Sequence, residues 1–331
     1  MLGMPPGQPL HSTQAMPLQL IVNADDFGLT PGINRAIIEL HQAGIVTSAS
    51  LMATAPAFRD AVELAKANPG LGIGCHVTFV DGVPAAHPMA IQTLLGADGK
   101  TFRPSLADFT QAVLRRTVNI YDVARETQAQ IQHLQRAGVD VTHVDTHKHV
   151  HLHERIAEPM LHVAMRCGVT AVRRPFEPQW SSAQAQALWI RRMQQRVLNR
   201  FSERFDRMPT LRSREILTTD GTLGIAATGT LDAKTLRATL AAMPSEGLYE
   251  LCCHPGFHDT ELEGLPTALK ASREAERAAL LELALERSTS AGEVFGSDAP
   301  PSLIHYGNLG IPGLQRASGQ FQPPTGFEKV L

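Results

Sequence analysis

Strand-like apolar runs alternate with helical segments along most of this chain, and this alternation constrains the fold more than any other feature. The helical segments repeat apolar residues every three to four positions, and Gly or Pro separates the segments. The clearest predicted strands span residues 18–22, 46–53, 71–77, 139–144, 169–172 and 248–253. A strand that is followed each time by a helix indicates one parallel sheet, either open or closed into a barrel.

Polar residues stand at or directly after the ends of five of these strands. They are Asp25-Asp26, His76, His147, Arg174 and His254. In α/β proteins the carboxyl ends of parallel strands meet at one edge and carry the chemistry. Because side chains from many different strands gather there, we predict barrel-like closure within a single domain.

The composition is that of an ordinary globular protein. Hydrophobic residues make up 43% and charged residues 19% of the 331-residue chain, and the formal charge is -2. This balance argues against a nucleic-acid partner held by bulk charge. The four cysteines form no CxxC pair, so we expect a reducing, cytoplasmic setting. No apolar stretch approaches the ~20 residues that a membrane helix needs.

The ends of the chain and one internal stretch lack periodicity. Residues 1–16 contain no apolar run of the secretory type, and we predict a disordered leader. Residues 17–297 are the predicted domain, and residues 298–331, where Pro and Gly recur, are predicted to form an irregular tail. Residues 78–117 form a long excursion of the kind that usually serves as a functional loop or lid.

The two adjacent carboxylates pose the central chemical question. Like charges this close stay ionised only if a cation or a shared proton relieves them. Asp26, His76 and His147 could make a site of two histidines and one carboxylate. That set suits Zn²⁺ or Fe²⁺ and leaves room for a water. Taken alone, however, a strand-end histidine such as His76 is more often a hydrogen-bonded structural residue.

A histidine cluster strengthens the metal hypothesis. Five histidines, all at odd positions, fall between residues 143 and 153. In an extended backbone, alternate positions lie on one side, and five imidazoles together need many partners. Beside paired carboxylates, such a cluster marks metal binding or catalysis more often than a structural role. The spacing alone leaves open which of the five would be a ligand.

Four further side chains are candidates for proton transfer or charge stabilisation. Asp25 could be the general base, or it could orient a histidine that binds the metal. His254 could be the general acid, although a hydrogen bond to the backbone explains it equally well. Arg174 or its neighbour Arg173 could hold an anionic intermediate or orient Asp25, and a structural ion pair is the alternative.

Residues 182–207 predict a long amphipathic helix in which arginines stand among aromatic and apolar residues. Such a helix can lie on a membrane surface. The more frequent alternative is a helix that packs on the domain and keeps a solvated basic face. Other motifs are missing: the sequence has no G-x-S-x-G or G-x-G-x-x-G, and Leu94 replaces a P-loop glycine. Serine hydrolase, NTPase and dinucleotide-dependent functions are therefore unsupported.

Several segments taken together resemble the YdjC-like carbohydrate deacetylases. These segments are Ile21–Gly28, Gly44–Ser48, Gly74–His76, Thr142–His151 and Cys253–Pro255. The resemblance runs from about residue 18 to residue 290, and each motif would be weak without the others. It implies a distorted TIM-like barrel and a divalent metal, Zn²⁺ or Mg²⁺.

The same resemblance implies roles for five residues. It carries the metal ligands onto Asp26, His76 and His147, which selects one histidine from the cluster. It carries the general base onto Asp25 and the general acid onto His254. The implied reaction removes an N-acetyl group from an acetylated amino sugar. Metal-activated water attacks the carbonyl, and His254 protonates the departing amine.

Two details point to a particular branch of this family. Arg173–Pro178 with the basic helix 182–207, and Ser272–Glu276, resemble the branch associated with hopanoid biosynthesis. An N-acetylglucosaminyl hopanoid lipid would then be the substrate, and helix 182–207 would contact the inner membrane from the cytoplasm. Chito-oligosaccharides are the alternative substrates, and a homodimer is a further expectation.

Two other function classes stay open on the sequence. An iron oxygenase could use the same two histidines and one carboxylate, but it would need reducible iron and a cosubstrate. A non-catalytic sugar- or metal-binding protein could keep the barrel and lose the chemistry.

Overall fold

The computed structural model describes residues 17–185, 198–265, 267–294 and 300–309. In these ranges the β-strands are β1 (Gln19–Phe27), β2 (Ser48–Leu51), β3 (Gly72–Val77), β4 (Val141–Thr146), β5 (Ala171–Val172), β6 (Leu217–Thr218), β7 (Gly221–Leu223), β8 (Leu248–Cys253) and β9 (Ser302–Leu303). The first helices are α1 (Pro31–Gln42), α2 (Phe58–Ala67), α3 (Leu106–Leu114), α4 (Ile120–Arg136), α5 (Glu154–Arg166) and α6 (Gln179–Ser182). The later helices are α7 (Ser202–Asp206), α8 (Pro209–Arg212), α9 (Ala233–Ala241), α10 (Thr260–Glu263) and α11 (Ala271–Val294). Short 3₁₀ turns include His147–Leu152, directly after β4.

The strands form one parallel sheet that curls into a distorted TIM-like half-barrel, as the sequence predicts. Their order is β6-β5-β4-β3-β2-β1-β8-β7, and β9 also pairs with β1. The outermost strands β6 and β7 are consecutive in the chain, and no ladder joins them within the described ranges. The single domain therefore has its strand ends on one rim without complete closure of the sheet.

Strand β1 lies at the centre of this sheet. It pairs with β2 and β8, and every residue from Leu20 to Phe27 is buried. A parallel strand that is covered on both faces needs a nearly continuous apolar sequence. This requirement explains the apolar run before Asp25 and makes the two carboxylates, which are also buried, an exception that needs partners.

Local signals set the bounds of α1, which follows β1. The Thr30 hydroxyl accepts a hydrogen bond from Ile33 N at 3.2 Å, and Pro31 occupies the first helical position. Gly44, with φ of +79°, lies just beyond the helix and reverses the chain toward β2. These three residues are of the types preferred at the corresponding cap positions.

The segment 298–331, predicted to be irregular, contributes a strand where it is described. Ser302 N donates to Leu18 O at 3.0 Å, and Ile304 N donates to Leu20 O at 3.1 Å. Strand β9 thus pairs with the start of β1, whereas the β2 ladder begins only at Asn23. A strand of two residues has no detectable periodicity, which is why the sequence pattern did not reveal it.

The predicted helix 182–207 is only partly described. Helix α6 ends at Ser182, residues 183–185 form turns, and a 3₁₀ turn occupies Asn199–Phe201. The sequence pattern therefore overestimates the helix at both of these places. Residues 186–197, the leader 1–16 and the segment 310–331 lie outside the described residues.

Among the described helices, none combines the length and the apolar composition that crossing a membrane requires.

Gly74 should be irreplaceable in β3 because a neighbouring imidazole occupies the space of its side chain. A Cβ there would lie 2.3 Å from Nε2 of buried His143, whose ring stacks on Tyr306 at 4.0 Å. We expect Gly74→Ala to lower the free energy of unfolding by about 3 kcal/mol through overpacking. Urea denaturation measures this, with Gly96→Ala as control, since a Cβ at Gly96 meets nothing closer than 3.4 Å. Equal effects of the two substitutions would contradict this interpretation of Gly74.

Candidate metal centre and its surroundings

Strands β1, β3 and β4 bring the three predicted ligands together. Oδ1 of Asp26 lies 3.6 Å from Nε2 of His76 and 3.4 Å from Nδ1 of His147. The two imidazole rings meet edge to face, with centroids 5.5 Å apart. One donor atom from each residue falls within 4.8 Å of the others. Three such donors are a common protein contribution to a catalytic metal site.

The backbone leaves regular geometry where it presents these side chains. Asp26 has φ of +65°, and Lys148 and His149, directly after His147, have φ of +59° and +52°. Non-glycine residues seldom occupy this left-handed region, and each instance costs about 1–3 kcal/mol. The pairing of β1 with β2 also shifts register between Ala24 and Phe27. In a regular strand Asp25 and Asp26 would face opposite sides, so this irregularity allows both to serve one site.

One oxygen of Asp26 has no hydrogen-bond partner in the described part of the chain, which tests whether the residues fit a metal. Oδ2 pairs with Nη2 of Arg273, but buried Oδ1 accepts no well-formed hydrogen bond from the described residues. Leaving a buried acceptor unsatisfied costs about 1–3 kcal/mol, and more for a charged group. An unsatisfied carboxylate oxygen between two imidazole nitrogens is the environment that a divalent cation would satisfy. The residues therefore fit a metal of the zinc type.

Two adjacent groups of potential ligands contain no carboxylate oxygen that lacks a partner. They are Asp25 with Cys252 and His254, and Asp25 with His76 and Asp145. In both groups Arg173 already supplies the positive charge. Its guanidinium donates to the two oxygens of Asp25 at 2.6 and 2.8 Å and lies 2.7 Å from an Asp145 oxygen. A guanidinium in this position satisfies the carboxylates, so neither group offers an unpaired oxygen like that of Asp26.

Arg173, rather than Arg174, faces the site. Arg173 is completely buried and also pairs with Glu250 at 2.7 Å. Arg174 forms an ion pair with Asp206 and lies over the Phe176 ring, 5.7 Å from its centroid. Of the two arginines that the sequence offers as candidates, the structure thus brings Arg173 to Asp25 and Arg174 to Asp206. Neighbouring residues of an extended segment point to opposite sides, so only one of the two arginines can reach Asp25.

Each of the two adjacent carboxylates has its own arginine. Burial alone would raise the pKa of Asp25, but Arg173, with a weaker contribution from His76, lowers it to about 2. Burial would likewise raise the pKa of Asp26, yet the Arg273 guanidinium holds it well below its usual range. Both groups therefore stay ionised, and the repulsion between them is relieved by two separate cations.

Asp145 orients His76 from the side away from Asp26. Nδ1 of His76 donates to Asp145 Oδ1 at 2.8 Å, which directs Nε2 toward Asp26. Burial would lower the pKa of His76, but the charges of Asp145 and Asp25 raise it to about 9. A carboxylate behind a ligand histidine fixes the orientation and tautomer of its ring and makes it a stronger ligand. The sequence places Asp145 two residues before His147, but without the fold nothing linked it to His76.

His254 lies beside Asp25 and outside the group of three predicted ligands. Its Nε2 is 3.8 Å from Asp25 Oδ2, and its side chain is 11% exposed. The backbone N–H of His254 donates to Glu276 at 2.6 Å, which holds the main chain at the end of β8.

The fold and this cluster define an α/β half-barrel with a candidate metal centre at its strand ends. The family described as YdjC-like protein matches residues 19–290, and the chain belongs to that family. A carbohydrate deacetylase of Brevibacillus brevis is 39% identical over 147 residues, which cover 44% of this chain and 56% of the relative. A carbohydrate deacetylase of Listeria monocytogenes is 39% identical over 157 residues, which cover 47% of this chain and 61% of the relative. The matches thus span little more than half the length of these curated relatives.

A solved structure agrees with the same fold. The crystal structure of an Enterococcus faecalis V583 protein, named for cellobiose-phosphate cleavage, aligns with a TM-score of 0.67. The two sequences are 25% identical, and the alignment covers 89% of this chain and all of the other.

Buried neutral histidines should make the protein sensitive to mild acid. Burial lowers the pKa of His143 to about 3 and that of His151 to about 4, whereas unfolded histidine titrates near 6.5. As pH falls from about 6.5 to about 4, the unfolded chain therefore binds protons that the folded protein does not. We expect the free energy of unfolding to fall by a few kcal/mol over this window, on the order of one or more per pH unit. Denaturation at a series of pH values measures the slope.

Replacing one of these histidines should flatten that slope. His143→Gln removes one of the groups whose pKa is lowered, so stability should depend less on pH between 6.5 and 4. His162 is the matched control, because its pKa is raised by a hydrogen bond to Glu158. His162→Gln should not flatten the slope. A slope that is unchanged in His143→Gln would contradict the assignment of His143 as a buried neutral group.

Proposed function

We propose that this protein is a metal-dependent hydrolase that removes the N-acetyl group from an acetylated amino sugar. The observation that carries the proposal is the buried Oδ1 of Asp26, which forms no hydrogen bond and lies between His76 and His147. A second carboxylate, that of Asp25, stands next to it in the chain. Membership of the YdjC-like family and similarity to carbohydrate deacetylases support the reaction class.

Asp26, His76 and His147 would hold the divalent cation. Two imidazoles and one carboxylate favour Zn²⁺ over Mg²⁺, which prefers oxygen ligands and retains more of its water. A cation bound there would supply Lewis-acid polarisation of the acetyl carbonyl and would acidify water. Asp145 would keep Nε2 of His76 directed into the site through the hydrogen bond on Nδ1.

Asp25 would act as the general base. Arg173 binds both of its oxygens, and Cys252 Sγ lies 3.4 Å from Oδ2, so the carboxylate is held in one orientation. With a pKa of about 2, it is unprotonated at every working pH and is always ready to accept a proton. The same low pKa makes it a weak base, so it can serve only a water that is already acidified.

His254 would protonate the departing amine as the amide C–N bond breaks. Its ring is buried and lies 3.8 Å from Asp25, whose negative charge would stabilise the imidazolium. Glu276 holds the main chain of His254 in place. Amide hydrolysis requires a base for the attacking water and an acid for the departing amine, and Asp25 and His254 lie close enough to divide these roles.

The substrate that we propose first is an N-acetylglucosaminyl hopanoid lipid, with chito-oligosaccharides as the alternative. The support is the resemblance of Arg173–Pro178 and Ser272–Glu276 to the hopanoid-associated branch. In this proposal the protein works in the cytoplasm, contacts the inner membrane through residues 182–207 and acts as a homodimer. Acetate release from N-acetylglucosamine, chito-oligosaccharides and the lipid, compared in one assay, tests the choice. Greater activity on chito-oligosaccharides than on the lipid would contradict it.

Two substitutions should separate the base from a metal ligand. Asp25→Asn should lower kcat for acetate release about 10²–10⁴-fold, because a general base contributes that much, while bound cation stays nearly unchanged. His147→Ala should lose both activity and cation. Acetate assays with metal analysis of the purified proteins measure the two effects, and Asp108→Asn, at an exposed position of helix α3, is the control.

Either of two results would contradict these roles. If Asp25→Asn keeps wild-type kcat, Asp25 is not the base. If His147→Ala binds the cation as well as the wild type does, His147 is not a ligand. Thermal melting of each variant checks that the fold is retained.

A further inference from the structure

We propose that Arg273 is a positioning residue for Asp26, and that it reaches this carboxylate because Gly256 has no side chain. The inference rests on the proposed metal centre and adds a residue to it from helix α11. Arg273 lies 247 positions after Asp26 in the chain, and no strand-end motif points to it.

Arg273 is held at both ends of its guanidinium group. The side chain is 1% exposed, Nε donates to Leu269 O at 3.0 Å, and Nη2 donates to Asp26 Oδ2. Because Oδ2 is occupied by this contact, only Oδ1 remains to face the two imidazole nitrogens. Arg273 thus determines that Asp26 presents a single oxygen to the site, on a backbone that is already strained at φ of +65°.

Gly256 leaves the space through which the Arg273 side chain passes. A Cβ on Gly256 would lie 3.1 Å from Arg273 Cδ, 3.3 Å from its Cβ and 3.0 Å from Ile33 Cγ1. These distances are tighter than ordinary carbon contacts, and the aliphatic stem of Arg273 would have to shift. Gly256 N also donates to Arg273 O at 3.2 Å, so a backbone hydrogen bond joins the two residues directly. The segment after His254 and the first turn of α11 therefore form one contact.

Glu276 fixes the turn of α11 from which Arg273 projects. It lies three positions later, on the same helical face. Its carboxylate accepts from His254 N at 2.6 Å and from Gly229 N at 3.3 Å, and its side chain is buried. One turn of α11 thus binds the end of β1 through Arg273 and the end of β8 through Glu276.

A purely structural role explains Arg273 poorly. Its Nη1 is buried and has no hydrogen-bond partner among the described residues. Buried donors in proteins are nearly always satisfied, and an unsatisfied one costs about 1–3 kcal/mol. A side chain retained for stability alone would have a better-satisfied environment. The arrangement instead places a permanent positive charge against one oxygen of Asp26.

The test is Zn²⁺ binding by the metal-free full-length protein, measured by titration calorimetry. Arg273→Met keeps the length of the side chain and removes its charge, so Asp26 loses its fixed orientation. Zn²⁺ affinity should weaken by about 10–100-fold, as is usual when a residue behind a metal ligand is replaced. Arg273→Lys keeps the charge and should recover part of the loss. Unchanged or tighter binding in Arg273→Met would overturn the proposal.

Arg277→Met is the matched control on the same helix. Arg277 pairs with Glu39 and lies 4.2 Å from the centroid of the Phe257 ring, away from Asp26. Its replacement removes an equal charge from α11, and Zn²⁺ affinity should stay within error of the wild type. If Arg277→Met lost as much Zn²⁺ affinity as Arg273→Met, the positive charge of α11 as a whole, and not the contact with Asp26, would determine Zn²⁺ binding.

The role of Gly256 is tested by a double-mutant cycle. Gly256→Ala should weaken Zn²⁺ binding although it removes no charge and touches no ligand. If it acts through Arg273, the double variant Gly256→Ala/Arg273→Met should lose no more affinity than Arg273→Met alone. Additive losses would overturn the link between the two residues. Because Gly256→Ala and Arg273→Lys are milder changes, they keep the test decisive if Arg273→Met does not fold.

The outcomes also separate this inference from the proposed metal centre. If the wild type does not bind Zn²⁺, or if Asp26→Asn binds it as tightly, the metal centre itself is wrong. If the wild type binds, Asp26→Asn does not, and Arg273→Met binds normally, only the role of Arg273 is wrong.

Discussion

Two neighbouring carboxylates can face one buried site only if each is opposed by a cation of its own. Arg173 faces Asp25, and Arg273 faces Asp26. The two arginines come from opposite directions, one from the end of β5 and the other from α11, so the pairs do not compete. Since Arg173 occupies both oxygens of its partner and Arg273 only one, the two carboxylates become chemically different. Asp25 is fully satisfied, whereas Asp26 retains an oxygen for a further cation.

Arg173 also connects the paired strands β4 and β5 with the paired strands β1 and β8, which β2 and β3 separate in the sheet. From β5 it contacts Asp25 on β1, Asp145 on β4 and Glu250 on β8. Burial raises the pKa of Glu250 despite the opposing influence of Arg173. The half-barrel therefore has an electrostatic centre at the rim, in addition to its apolar core.

Much of the fold and part of the site could be predicted from the sequence, for identifiable reasons. Strand–helix alternation predicts the parallel sheet, and residues at strand ends, such as His76 and His147, must gather at its rim. The sequence could not decide between Arg173 and Arg174. Strand β5 has only two residues, so the alternation of inward and outward side chains along it is too short to show which arginine faces the site. Arg273 lies within the Ser272–Glu276 segment noted in the sequence, but its contact with Asp26 could not be predicted, because only the folded chain brings that helix over β1.

The pairing of β9 with β1 has a consequence for the order in which the site is assembled. Beyond β9, the Tyr306 hydroxyl donates to Glu250 at 2.7 Å, and its ring stacks on His143. Tyr306 is synthesised 56 residues after Glu250, which takes roughly 3–11 s at ordinary rates of translation. During that interval the other strands can pair while Glu250 and His143 lack this neighbour. The contacts of Tyr306 with Glu250 and His143, which lie below the rim that carries the chemistry, are thus the last of this set to be synthesised.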